Sequence, residues 1–135
     1  MGPSSMIVLD THIWLWWIDQ DMTQLGKHIN DQIMSEDFVG VAAISCFEIA
    51  WLQGHNRISL PCDITTWFEK ALTGSSISLI PLSPEIAKIA AELPEHHSDP
   101  QDRLIIATAI SHNARIASKD KKFCLYKEVD NLLLQ

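Results

Sequence analysis

Two rhythms of apolar and polar residues alternate along this chain. Residues 6–9 (Met-Ile-Val-Leu) form a short apolar run that reads as a buried strand. Asp10 and Thr11 end it, and either can cap a following helix. Residues 12–18 are then a very apolar helical stretch carrying Trp14, Trp16 and Trp17. Over 23–34, Leu25, Ile29 and Ile33 fall on one stripe and predict a second helix. Residues 38–42 predict the second strand. Ser45 opens a helix to Gln53 with Gly54 just past its end. Asp63 opens another, closed by Gly74, and residues 77–82 predict the third strand. Ser83-Pro84-Glu85 and Asp99-Pro100 are strong helix starts, because proline in the first turn lacks only an N–H that would be orphaned anyway. The second of these helices runs to about Asn113, and residues 115–117 predict a fourth strand. The apolar tail 129–134 fits a fifth strand or a short helix. Strands alternating with helices imply crossover connections and a parallel sheet, with ligands beyond the carboxyl ends of the strands.

The 135 residues are one domain's worth. Residues 2–5 read as a cloning remnant ahead of a natural start at Met6, leaving 6–135 as a single domain. At 47% hydrophobic and 20% charged, the chain is neither disordered nor fibrous. The longest apolar stretches, 13–18 and 104–110, fall far short of the ~20 residues of a membrane span. No basic segment precedes an apolar one at the start, which predicts a cytoplasmic protein. Cys46, Cys62 and Cys124 form no C-x-x-C pair and read as reduced, mostly buried thiols.

Several chemistries are excluded. The glycines stand at 2, 26, 40, 54 and 74, so no dinucleotide fingerprint or P-loop can be formed. There is no G-x-S-x-G elbow and no H-E-x-x-H. His96 and His97 are adjacent, face apart on regular structure and have no cysteine nearby; they read as surface or loop-packing residues rather than a zinc site. The net charge of −7 argues against a non-specific nucleic-acid coat. The charge is uneven, however: residues 1–60 hold two basic and seven acidic residues, whereas 115–127 hold five basic ones and only Asp120 as an acid.

Four carboxylates stand out by placement. Asp10 follows the first strand and Asp120 the fourth. Glu48 lies in the first turn of the helix after the second strand, and Asp102 in the first turn of the helix feeding the fourth. In a parallel sheet all four reach the carboxyl edge. Clustered carboxylates repel one another, and a hard divalent cation such as Mg²⁺ or Mn²⁺ relieves that repulsion. Such a site can activate water for phosphoryl displacement, with Lys119, Lys121, Lys122 and Arg103 placed to hold a phosphate backbone. Each acid also has a plain structural reading. Asp10 can cap the first helix, Ser45 and Glu48 fit a capping box, Asp99 and Asp102 suit a helix N-terminus, and Asp120 suits a turn. These readings do not explain why all four share one edge. Arg103 can equally hold Asp99 or Asp102. The Trp14, Trp16 and Trp17 cluster reads as core or a dimer surface rather than a base-stacking platform, and Trp51 and Trp67 as helix-face packing.

At these residues the chain resembles the PIN-domain ribonucleases found as VapC-type toxins in toxin–antitoxin pairs. The matching segments are IVLDTHIWLWW (7–17), AISCFEIAWLQGHNRISLP (43–61), LPEHHSDPQDRLIIATA (93–109) and IASKDKKFCLY (116–126). The resemblance implies a three-layer α/β/α sandwich around a mostly parallel sheet of four to five strands. It implies Mg²⁺- or Mn²⁺-dependent cleavage of RNA phosphodiesters, with Asp10, Glu48, Asp102 and Asp120 as the acidic quartet. Asp10 and Asp102 would hold the metal with Glu48, and Asp99 would be an additional ligand of the Asp-Pro-x-Asp subgroup. Thr11 and Ser118 fall on supporting hydroxyl positions. A cognate antitoxin and a homodimer are the implied protein partners, with no membrane. The chain departs from the pattern at Gln101, where an aromatic is common, at Leu52, where a lysine is common, and at Ser118, usually threonine; these bear on substrate choice. The competing readings are a PIN-like module that binds RNA or protein without catalysis, and, ranked last, a receiver-like phosphotransfer domain built on Asp10.

Overall fold

The computed structural model describes residues 5–95, 99–126 and 133–134. Within them β1 is Met6–Leu9, α1 Thr11–Asp19, α2 Met22–Leu25, α3 Lys27–Ser35 and β2 Phe38–Ala42. Then come α4 (Ala43–Gly54), α5 (Ile64–Ala71), β3 (Ser78–Ile80), α6 (Pro84–Glu92), α7 (Pro100–Ser111), β4 (Arg115–Ala117) and β5 (Leu133–Leu134). Short 3-10 turns cover Thr73–Ser75 and Lys121–Leu125.

All five strands are parallel, in the order β3-β2-β1-β4-β5. β1 is central and buried on both faces, which is why its four residues are all apolar. Side chains alternate across a strand, so Ile7 and Leu9 share one face and Val8 takes the other. Ile7 and Leu9 pack with Ile13 and Trp14 of α1, Leu25 of α2, Ile29 and Ile33 of α3, Ile49 of α4, and Trp67 and Ala71 of α5. Val8 packs with Ala42, Ile80, Ile86 and Ala90 of α6, and Ile105, Ile106 and Ala109 of α7. The result is the expected three-layer α/β/α sandwich.

Five details differ from the sequence reading. The helix expected over 23–34 is broken by Gly26, whose φ of 83° and ψ of 152° suit glycine almost alone, so α2 and α3 meet at an elbow. α4 starts at Ala43 because β2 runs into it without a loop; Ala42 is its N-cap, and no capping box forms at Ser45. Gly54 lies inside α4, and the left-handed residue beyond it is Asn56, with φ 56°. Trp51 is exposed and stacks on His55 at 4.0 Å between ring centroids, whereas Trp67 is buried as expected. Cys46 and Cys62 are half-buried and Cys124 is exposed, so the thiols are less enclosed than composition suggested. His96 and His97, and the tail before Leu133, lie outside the described residues. No described helix is long and apolar enough to cross a membrane.

Candidate active site

The sheet order reverses at β1: β2 and β3 lie to one side, β4 and β5 to the other. Such a switch point leaves a crevice beyond the carboxyl ends of the two diverging strands. A cleft of about 390 Å³ sits there, with Asp10, Glu48, Asp99, Asp102 and Asp120 all in its lining. Four of these acids were expected at this edge from their placement along the chain, and Asp99 from the family resemblance.

Asp10 caps α1. Its Oδ1 accepts the Ile13 N–H at 2.8 Å, and its own N–H donates to the Ala117 carbonyl of β4 at 3.0 Å. The capping reading of Asp10 is therefore true, and it places the carboxylate at the mouth of the switch point. The residue is 7% exposed. Burial pushes its carboxyl up to about 6, against hydrogen bonds from Ser118 and Ile13 that favour the charge; the nearby Glu48 pushes it further up.

Thr11 and Ser45 are buried, and they join β1 to α4. Thr11 Oγ1 lies 2.9 Å from Ser45 Oγ and 2.8 Å from Glu48 Oε1. A hydroxyl has one proton and a carboxylate only accepts, so Thr11 donates to Glu48 and its oxygen takes the Ser45 proton. Glu48 sits one turn further into its helix than the sequence placed it, because α4 starts earlier. Ser118, fully buried, bonds to the Asp10 carboxyl and accepts the Asp120 N–H at 3.0 Å. Asp120 in turn caps the 3-10 turn through the Lys122 N–H at 2.9 Å. Asp99 caps α7 through the Gln101 N–H at 2.9 Å, and Asp102 lines the cleft from the first turn of the same helix.

The basic residues divide. Lys119 and Lys122 line the cleft, and the Lys119 ammonium donates to the Gln24 carbonyl at 2.7 Å, beside the Gly26 elbow. Lys121 is exposed and outside the lining. Arg103 is outside it too. Its guanidinium donates to the Pro94 carbonyl at 2.9 Å and to those of Ala90 and Leu93 at 2.7 Å. Orphan carbonyls at the end of α6 thus take up its donors, and it stands outside the cleft lining. His12 and Trp16 of α1 line the cleft and were not singled out for it. Their separation of four residues puts both on the helix face that Asp10 opens, and that spacing was the available signal.

The sequence model of the PIN domain family matches residues 7–129. This chain belongs to the PIN-domain family. It is 35% identical over 117 residues to Ribonuclease VapC22 of Mycobacterium tuberculosis, spanning 86% of this chain and 88% of that one. Its fold matches that of VapBC2 from Rickettsia felis, crystallised with a DNA fragment from their promoter, at a TM-score of 0.68 and 18% identity over 96% of this chain and 97% of that one. FitAcB from Neisseria gonorrhoeae matches at a TM-score of 0.64 and 19% identity, over 96% and 97% of the two chains. At these identities the crystal structures speak for the fold, which here is a PIN fold with an all-parallel sheet.

Proposed function

We propose that this PIN-domain protein is a divalent-metal-dependent endoribonuclease and the toxin half of a toxin–antitoxin pair. The observation that carries the reading is the convergence of five carboxylates on one cleft at the β1–β4 switch point. The relative named a ribonuclease supports it, as do structural neighbours that are toxin–antitoxin complexes, among them one from Klebsiella pneumoniae.

Among the described residues, no three His, Cys, Asp or Glu side chains are drawn together tightly enough to hold an ion by themselves. The donor chemistry nevertheless fits Mg²⁺ or Mn²⁺: the carboxylates are hard oxygen ligands, and Mg²⁺ usually retains several waters. Asp10, Asp102 and Glu48 would hold it, with Asp99 in support. When bound, the ion supplies a polarised water and positive charge for an in-line displacement at phosphorus. The remaining work belongs to the chain. Thr11 fixes the Glu48 carboxylate, and Ser118 fixes Asp10. Asp120 orients the attacking water. Lys122, with Lys119, holds the phosphate backbone entering an otherwise acidic cleft; Lys121 lies further out on the path of the RNA. The partners are an antitoxin protein that covers the cleft and a second copy of this chain, in a cytoplasm where RNA is at hand.

The test is cleavage of a mixed pool of tRNA, rRNA and mRNA with Mg²⁺, with Mn²⁺ and with EDTA. Wild type cleaves only with metal, and Asp10→Asn and Asp102→Asn lose at least 10²-fold of the rate, the scale of removing a main electrostatic contributor. Full metal-dependent cleavage by both folded variants would overturn the reading.

A further inference from the structure

α1 spends its surface unevenly. Ile13, Trp14 and Leu15 are buried in the core, yet Trp16 stays half-buried and His12 exposed, both in the cleft lining. Their rings stand 5.7 Å apart between centroids with a 49° tilt. A tryptophan carries a large apolar area that folding normally hides, as it does for Trp14 and Trp67 on the same side of the sheet. Trp16 instead presents part of that area beside five carboxylates.

The charges around it limit what can be recognised there. Among the described residues, Lys119 and Lys122 are the lysines of the lining, and the Lys119 ammonium already serves the Gln24 carbonyl. Phosphate contacts alone are therefore a thin basis for holding an RNA in this cleft. An aromatic face adds attraction that the neighbouring acids do not oppose, because stacking is carried by the uncharged base. Resting on the ribonuclease reading above, we infer that His12 and Trp16 form a stacking wall that binds one nucleobase next to the scissile phosphate. A paired base has its faces covered, so the wall selects unpaired RNA such as loops and single-stranded segments. Trp16 also packs partly against the core, as its sequence context suggested, and the stacking role belongs to the part of the ring left facing the cleft.

The probe is a short unstructured oligoribonucleotide carrying 2-aminopurine at one position, walked along the sequence around the cut. With the full chain, fluorescence is quenched at one position flanking the cut; the quench is lost in Trp16→Leu and kept in Trp16→Phe. In cleavage, Trp16→Leu and His12→Ala raise KM about 5- to 150-fold, the range for one stacked base, with a smaller fall in kcat. Trp16→Phe recovers most of that loss. An abasic nucleotide at the same position weakens wild type equally and weakens Trp16→Leu no further. His12 is exposed, so His12→Ala keeps the test informative if Trp16→Leu misfolds. Unchanged KM in the folded variants, or equal cleavage of abasic and intact RNA, would overturn the stacking wall while leaving the ribonuclease reading standing. A wild type that neither binds nor cuts any oligoribonucleotide would overturn both.

Discussion

Asp10→Asn should abolish cleavage and yet make the metal-free protein more stable at neutral pH. Burial holds the Asp10 carboxyl at about 6 rather than the usual 3.8, which makes its charge cost about 3 kcal/mol at about pH 7.5. The folded pKa lies above the unfolded one, so the folded state grips the proton more tightly. Stability is unpenalised below about pH 4, falls as pH rises through the window from 4 to 6, and carries the full penalty above it. Asparagine removes the charge and keeps an acceptor for the Ile13 N–H and the Ser118 hydroxyl. A less favourable cap and amide orientation take back part of the gain, leaving about 1–3 kcal/mol of stabilisation. The assay is urea unfolding in EDTA, followed by tryptophan fluorescence across that pH range. The variant's advantage should shrink as pH falls through that window and be gone below about pH 4, where the wild-type carboxyl is neutral in the folded state and increasingly protonated in the unfolded one. Mg²⁺ at ten times its Kd should then add about 1.4 kcal/mol to wild type and nothing to the variant. A variant less stable than wild type at neutral pH, or a difference independent of pH, would show that the carboxylate serves the fold rather than an ion.

Three further outcomes follow from the contacts. Thr11→Val removes the donor to Glu48 and leaves the buried Ser45 hydroxyl without its partner, so unfolding free energy should drop by about 1–3 kcal/mol and cleavage with it; Thr11→Ser should restore both, as read by urea melts and initial rates. Arg103→Met strips the α6 carbonyls of their donor and should lower stability by about 2 kcal/mol without altering the salt dependence of RNA binding, whereas Lys122→Ala should leave the melt unchanged and reduce the salt slope by about 0.7, measured by fluorescence anisotropy of a labelled oligoribonucleotide. Arg115→Met deprives Glu36, whose side chain is 5% exposed, of its ion pair; the loss should approach 3 kcal/mol, and adding Glu36→Met should recover most of it in thermal unfolding.

How much could be read from the sequence depended on how local the cause was. β1, β2 and β4 were legible to the residue, because an apolar run between turn residues leaves no other element of that length. The starts of α6 and α7 were equally plain in Ser83-Pro84 and Asp99-Pro100, where the cap and proline act within one turn. The Gly26 elbow was not, since a lone glycine in an amphipathic stretch is compatible with an unbroken helix; the Lys119 ammonium that meets the elbow comes from the far end of the chain. Arg103 was misplaced for a similar reason. Its partners are carbonyls around the end of another helix, and carbonyls leave no mark on a sequence. Ser45 looked like a cap because Glu48 follows at the right spacing, but β2 runs on into α4 and the hydroxyl turns to Thr11 instead. The carboxylate edge was legible because strand ends in a parallel sheet are ordered by topology, whereas the His12 and Trp16 wall depended on which face of α1 the core claimed.

Three of the acids, Asp10, Glu48 and Asp120, are not simply gathered at one edge; they are tied to the strand ends by hydroxyls that serve two partners each. Thr11 joins the end of β1 to α4 through Ser45 and Glu48, and Ser118 joins the end of β4 to Asp10 and Asp120. The backbone bond from Asp10 to Ala117 closes the same link. Each hydroxyl is buried, so breaking either leg strands a polar group as well as releasing a carboxylate. The carboxylates are thereby held near their working positions while their mutual repulsion and burial still oppose the charge. That strain is the reason for expecting the cleft to respond to a divalent cation more sharply than the exposed acids of the same chain. On the proposed reading, the short polar residues Thr11, Ser45 and Ser118 decide whether that response is organised into a site.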